Sequence, residues 1–282
     1  TLKANGASMG KTAKDFRFPC SANIELENAA QPAITETDSL TAPTPWTYVP
    51  TQEYNVCQIF QKAVSMSYAK MSGSNYLSGI TVHGEPLSID DQYAKQVEIT
   101  LQQIARDYEY SALNGVYNEA ANAGQANKMR GIITAITTNA VNAAAAALSK
   151  AMIDTLLRTM VAKAQMKNMV FVCNAFQRQK ISEIYGYAPN DRNVGGVNIK
   201  QVETEFCNIS ALYCPNVPAA TLLLADLDHL QPVFLPVPGK GYLFKEELAK
   251  AGASESEQIY GQIGIDYGSE VFHGKITNLA TS

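Results

Sequence analysis

The segment GASMGKT at residues 6–12 places Lys11 and Thr12 where a phosphate-cradling loop of the form GxxxxGK[ST] carries its lysine and hydroxyl. Such a loop lays backbone N–H groups around a phosphate and needs a buried strand before it and a helix after it. Here the first glycine would have to fall at position 5, which is Asn5, and the segment runs into strand-like FRFP. The pattern does not support nucleotide binding. His83, His229 and His273 lie far apart, and none has a carboxylate or cysteine at the spacing of a metal ligand pair. The serines lack a GxSxG turn. Asp226 and Asp228 follow an apolar run, where catalytic acids occur, but LADLDHL reads more simply as a strand ending in a turn and a short helix. Glu109 and Arg106 have the spacing of a helical ion pair, and Asp90-Asp91 that of a helix cap. The five cysteines, at 20, 57, 173, 207 and 214, form no CxxC pair. They read as reduced, mostly buried thiols of a cytosolic environment, with a Cys207–Cys214 bridge as the lesser alternative. The expectation is a chain with no catalytic, cofactor or metal site.

The elements that would have positioned a site are more informative. Tyr93, Val97, Leu101, Ile104, Tyr108 and Ala112 recur at three- and four-residue steps and form one apolar stripe; Ile99, Tyr110, Leu113 and Tyr117 form a thinner one. They predict a helix over about 90–121, roughly 48 Å long at 1.5 Å per residue, held as a strut between two layers. Upstream, DFRFPCSANIEL (15–26) and the alternating stretch from Tyr48 to Ser67 read as long strands around a Pro- and Thr-rich loop at 27–47. Such a hairpin arm, 15–67, has few residues able to build a core of its own, so its neighbour is expected to be another chain. Phe16, Phe18, Trp46, Tyr48, Tyr54 and Phe60 are its candidate inter-subunit contacts.

Downstream, 134–148 reads as strand then loop. Ser149 is expected to cap a helix through Gln165 with Met152, Leu156, Met160 and Ala164 on its buried side. A buried strand at 168–173 precedes an amphipathic helix, Ala175–Tyr185, on which Arg178 and Lys180 are candidate contacts to a neighbour. Strands follow at 199–206, 209–214, 220–225, 256–267 and 270–278, with a proline-marked edge segment ending at Gly239. The reading is α+β with mixed sheets.

Charged residues make up 17% of the 282-residue chain, and the formal net charge is −4. A charge-poor surface suits burial against other copies. With no Lys/Arg-rich block, nothing supports a dedicated nucleic-acid-binding surface. No apolar run approaches the 18 or so residues of a membrane span.

The order of elements resembles the major capsid protein of tailed bacteriophages of the Hong Kong 97 type, over essentially the whole chain. NVCQIFQKAVSMSYAKMSG (55–73) resembles the returning strand of that family's extended loop, and QQIARDYEYSALNG (102–115) its spine helix. Met129-Arg130-Gly131-Ile132 resembles the family's turn, and FVCNAFQRQKISEIY (171–185) a strand–helix pair of its axial domain. TLLLADLDHLQPVFL (221–235) and EELAKAGASESEQIYGQIGIDYGSEVFHGKIT (246–277) resemble its return to the peripheral domain. The resemblance implies a fold with residues 1–14 as the remnant of an N-terminal arm and 15–67 as the extended loop. Residues 68–145 and 246–282 would form the peripheral domain and 146–245 the axial domain. It implies a non-enzymatic subunit that assembles with itself into pentamers and hexamers of an icosahedral shell. That shell would form in the host bacterial cytoplasm and reside in the virion, with portal and scaffolding or decoration proteins as partners. Packaged double-stranded DNA would be a neighbour by non-specific proximity only, and no cofactor or membrane is involved. In the founding member of the fold an extended-loop lysine forms an isopeptide bond to a neighbour's asparagine. Between Phe16 and Gln61 this chain has no lysine, so the resemblance here implies a shell held by non-covalent contacts. Two other readings stay open: a nanocompartment shell of the same fold, and an α+β enzyme with a site assembled from loops.

Overall fold

The structure, a computed structural model of the chain, describes residues 10–23, 31–43, 51–69, 81–82, 85–86, 89–163, 166, 168–185, 191–194, 197–204, 206–250 and 252–281. The chain runs β1 (Lys11–Thr12), β2 (Arg17–Asn23), α1 (Glu36–Ser39), β3 (Thr51–Val56), β4 (Gln58–Ser67), β5 (Thr81–Val82) and β6 (Glu85–Pro86). It continues with α2 (Ile89–Asn114), α3 (Ile132–Ala135), β7 (Ala140–Asn142), α4 (Lys150–Val161), β8 (Met169–Cys173) and α5 (Ala175–Tyr185). The last elements are β9 (Asp191–Val194), β10 (Val197–Glu203), β11 (Asn208–Tyr213), β12 (Leu222–Asp226), β13 (Gln231–Phe234), β14 (Leu243–Glu247), β15 (Ser254–Asp266) and β16 (Gly274–Thr277).

Two sheets carry the fold. One is seven-stranded, in the order β7-β16-β12-β8-β11-β10-β9, with β8 parallel to β11 and antiparallel to β12. Its centre is MVFVC and LLLAD, both buried along their whole length, as expected for strands covered on two faces. Helix α4 lays Ile153, Leu156, Leu157 and Met160 into the core on this sheet. The contact is close at Gly274, where an added Cβ would stand 2.6 Å from the Met160 sulfur, so that strand position has no room for a side chain. The other sheet is five-stranded: β15 carries β4 on one edge and β13 and β14 along the other, with β1 parallel to β13. Helix α2 packs on it through Ile104 and Ala112, with Val97, Tyr108 and Leu113 partly buried.

Several expectations need correction. Helix α2 spans Ile89–Asn114 and does not reach 121; at 1.5 Å per residue it is about 39 Å long. Gly115 ends it: its N–H still donates to Ser111, but its Cβ position lies 2.3 Å from the Met129 carbonyl, and the returning Gly131 N–H donates to its own carbonyl. Residues 118–128 then form a bridged polar turn. The helix is covered on one side only: Ile99 and Tyr110 of the second stripe remain 54% and 58% exposed, so it is not held between two layers of this chain. The stretch after it is helix α3 followed by β7, where a strand and then a loop were expected. Helix α4 ends at Val161; Ala164 and Gln165 lie outside the described residues, as do His83 and the side chains of Asp90 and Asp91. Residues 270–272 are a 3₁₀ turn, so the final strand is shorter than expected. Strand β14 went unforeseen.

The largest correction concerns the arm. Its returning half does not remain an arm: β4 pairs with β15 over ten residues, from Gln58↔Ile263 to Ser67↔Ser254. The alternation of Phe60, Val64 and Met66 is the buried face of a sheet strand in this chain's own core.

The two sheets are joined at a fully buried histidine. His273 Nδ1 accepts from the Asp226 N–H at the end of β12, and Nε2 donates to the Tyr267 carbonyl just past β15. Burial holds the imidazole neutral, lowering its pKa from 6.5 to about 4 against the opposing pull of the Tyr267 carbonyl and Asp226. The unfolded chain takes up this proton below pH 6.5, whereas the folded chain does so only near pH 4. Stability from this group is therefore complete above pH 6.5 and falls as pH drops from 6.5 to 4. At about 1.4 kcal/mol per pH unit the loss reaches about 3 kcal/mol. Thermal unfolding followed from pH 7 to pH 4.5 should show this decline. His273→Asn, whose amide oxygen can accept where Nδ1 does, should start less stable but show a flatter pH dependence; an unchanged slope would contradict the assignment.

Candidate assembly surfaces

Lys11, Thr12, His229 and Glu109, which first suggested chemistry, have structural partners instead. Lys11 is ion-paired with Asp266 at 2.5 Å, and Thr12 shares a hydrogen bond with Tyr242, so Lys11 and Thr12 of the phosphate-loop look-alike form a short edge strand on β13. His229 pairs with buried Asp226 at 3.1 Å and stacks on Phe272 at 3.9 Å. Glu109 does not pair with Arg106; it accepts from Cys214 at 3.5 Å and Asn216 at 2.9 Å, tying α2 to the loop after β11. All five cysteines are free thiols, four of them buried. Burial pushes Cys20, Cys57 and Cys173 up to about 12 and Cys214 up to about 11, far from the thiolate a nucleophile needs. Among the described residues no group of histidines, cysteines and carboxylates could hold a metal ion, and no helix is long and apolar enough to cross a membrane.

What the fold does assemble is a rigid root for the arm. Asn55, at the end of β3, is fully buried. Its amide donates to the Arg130 carbonyl at 3.1 Å and the Ile265 carbonyl at 2.9 Å, and its oxygen accepts from the N–H groups of Arg130 and Val56. One side chain thus satisfies backbone groups of the arm, of the turn before α3 and of β15. Around it, Glu53 takes Arg130 at 3.6 Å and the Tyr267 hydroxyl at 3.3 Å, and Arg130 lies 4.9 Å over the Tyr117 ring. On the other strand Arg17 lies 4.0 Å over Tyr54 and pairs with Glu119 at 3.7 Å. Below, Phe18 sits where a Cβ on Gly264 would be, and Phe60 meets Tyr108 edge-on at 5.9 Å.

The expected contact residues therefore separate. Phe18 and Phe60, each 6% exposed, belong to this chain's own core and are not free to contact a neighbour. Phe16 is partly buried against the same core, and Tyr54 is held under Arg17. Trp46 and Tyr48 lie outside the described residues. On α5, Lys180 is already paired with Glu183 at 2.8 Å, while Arg178 has no carboxylate partner among the described residues. The root residues Asn55, Glu53 and Arg130 were not anticipated. Between Tyr54 and Val56 an asparagine falls in the polar phase of the alternation and reads locally as solvent-facing, so no local signal singled it out.

Beyond the root, large apolar side chains are left bare: Ile59 of β4, Ile99, Leu101 and Tyr110 of α2, Val116 after it, and Ile34 and Leu40 in the arm. This combination of rooted arm, half-covered helix and two sheets defines a shell-forming subunit fold, and the comparisons agree. The capsid of cyanophage A-1(L) superposes with a TM-score of 0.64 at 10% identity, covering 100% of this chain and 92% of that one. A chain of Mycobacterium phage Patience gives 0.63 at 9%, covering 100% and 84%. The SrpI encapsulin of Synechococcus elongatus PCC 7942 gives 0.60 at 11%, covering 98% and 87%. No curated protein matches the sequence. The family model for the SU10 major capsid protein matches residues 11–280, and the chain belongs to that family. It is a major capsid protein, a structural component of a phage virion that assembles with copies of itself.

Removing the Asn55 side chain should be costly out of proportion to its size. Asn55→Ala strands the half-buried Arg130 N–H and two carbonyls, and should lower unfolding stability by about 3 kcal/mol. Asn55→Asp should do no better, because it replaces the donors to two carbonyls with a carboxylate. Chemical denaturation of the soluble subunit would measure both; losses under about 1 kcal/mol would show that the root does not depend on Asn55.

Proposed function

We propose that this chain tiles an icosahedral shell as pentamers and hexamers around the double-stranded DNA of a tailed phage. Assembly would take place in the host bacterial cytoplasm, with portal and scaffolding or decoration proteins as partners. In this reading residues 15–57 form the extended loop, the α2-bearing sheet the peripheral domain, and the seven-stranded sheet with α4 and α5 the axial domain. The observation that carries it is the bare apolar side of α2 and β4, with Ile59, Ile99 and Tyr110 exposed, set beside an arm whose Ile34 and Leu40 are 73% and 85% exposed. A free monomer would gain nothing from either, whereas a tiled shell covers both. Arg178, which has no carboxylate partner among the described residues, is the better candidate of α5 for a contact across a symmetry axis. The net charge of −4 suits a container that must let packed DNA slide.

The likeness to an encapsulin favours one alternative, a nanocompartment of the same fold. Particle contents separate the two: nuclease-protected double-stranded DNA in particles from infected cells supports the phage head, and protein cargo supports the alternative.

The chain offers no lysine between Phe16 and Gln61, and Lys62 is occupied by Asp107 at 3.1 Å on its own α2. The shell should therefore be held without covalent cross-links. Electron microscopy of the purified protein should show closed hollow shells or capsomers. The same particles boiled in denaturant should run as single chains near 30.5 kDa. Discrete small particles would contradict the assembly reading, and a ladder of multimers resistant to reducing agent would contradict the non-covalent one.

A further inference from the structure

The tip of the arm carries a preformed recognition element. Helix α1 is only four residues long, yet it is fully capped. Thr35 accepts from the Asp38 N–H, and the Asp38 carboxylate accepts from the Thr35 N–H and hydroxyl. The two residues that bracket it, Ile34 and Leu40, are 73% and 85% exposed, the most exposed of the chain's described large hydrophobic side chains. With Asp38 engaged in the cap, Glu36 is the carboxylate left to reach outward. The element is therefore ordered by its own hydrogen bonds, apolar at both ends and acidic between.

Three of the open grooves lined by described residues differ in charge. The groove between α2 and the β14–β15 edge carries Glu247, Glu255 and Glu257 against Lys245 and Lys250, with Lys245 already paired to Glu257 at 2.6 Å. It repels an acidic guest. In the groove between β4 and α2 the cation, Lys62, is spent on Asp107. The third, about 420 Å³, is lined by Phe16, Ile59, Ala120, Ala123, Ala126 and Lys128, and among the described residues Lys128 has no carboxylate partner. Its apolar floor is interrupted by the amides of Gln58, Asn122, Gln125 and Asn127, and its one charged lining residue is Lys128.

We propose that the Ile34–Leu40 tip of one copy seats in the Phe16–Ile59–Lys128 groove of a second copy, with Ile34 and Leu40 on the apolar floor and Glu36 against Lys128. This inference rests on the self-assembly reading and names the two surfaces that meet. The guest is another copy, because its own chain leaves Ile34 and Leu40 73% and 85% exposed.

The test co-expresses two full-length variants, Leu40→Cys and Ala126→Cys, and oxidises the assembled particles mildly. A disulfide between them can form only between copies. The expected product is a reducible dimer on a non-reducing gel, absent when either variant is assembled alone. A second test uses charge: Lys128→Glu should weaken each contact about threefold, as for an exposed ion pair, and Glu36→Lys in the same chain should restore shell yield. Leu40→Asp should weaken it about tenfold or more through lost apolar burial. Shells that form normally with no Leu40–Ala126 dimer, or with no rescue by Glu36→Lys, would overturn the pairing while leaving the assembly reading intact. If the unmodified chain forms no shells or capsomers, the assembly reading fails and this proposal with it.

Discussion

One buried amide fixes the geometry on which the remainder of this fold is built. Asn55 bonds backbone groups 75 and 210 residues away in sequence, and it does so where the arm, the turn before α3 and the long strand β15 converge. A buried polar side chain is costly unless it is satisfied, and Asn55 is satisfied on both its donor and acceptor sides. The result is directional: hydrophobic packing alone would let β3 slide, whereas hydrogen bonds to defined N–H and carbonyl groups set its exit. The glycines nearby serve the same end. Gly115 and Gly131 let the α2 end and the returning turn approach within backbone hydrogen-bond distance, and Gly264 leaves room for Phe18.

From that root the molecule divides into what it completes alone and what it leaves for other copies. The cores of both sheets are closed, and their buried polar groups, such as Gln177, Asn139 and His273, are tied to backbone groups across element boundaries. The outer side of α2 and the arm tip are not closed. A shell subunit needs this asymmetry: an interior stable before assembly, and apolar surface whose burial waits for a neighbour. Low charge content follows from the same need, since charged side chains resist burial at contacts between copies. Among the described residues, Glu109, Asp226, His229 and His273 are each engaged in a hydrogen bond within the fold.

Local pattern carried much of the fold. Helix α5 lies at the boundaries its amphipathic spacing and flanking Gly186 indicate, and β8, β11 and β12 fall within a residue or two of their apolar runs. The failures came from long-range pairing. The alternation in β4 fits an arm strand and a sheet strand equally well; only the ten-residue register with β15 decides, and it joins residues nearly 200 apart. Helix α2 ends early because backbone from residues 129–131 occupies the space beyond Gly115, which no local window contains. Glu109 had a helical partner in Arg106 by spacing, yet tertiary contact with Asn216 prevailed. The same limit explains Phe18 and Phe60: aromatic residues in an arm without local burial look available to a neighbour until β15 and α2 are placed beneath them.

The central claim is that the arm has a fixed root within its own chain and a tip completed only by assembly. Hydrogen exchange read by mass spectrometry, on the soluble subunit and on assembled particles, tests it directly. Peptides covering 53–60 should be protected equally in both states, while those covering 31–43 should exchange quickly in the subunit and gain protection on assembly. Equal, rapid exchange of 31–43 in both states, or protection of 53–60 that arises only on assembly, would contradict the account.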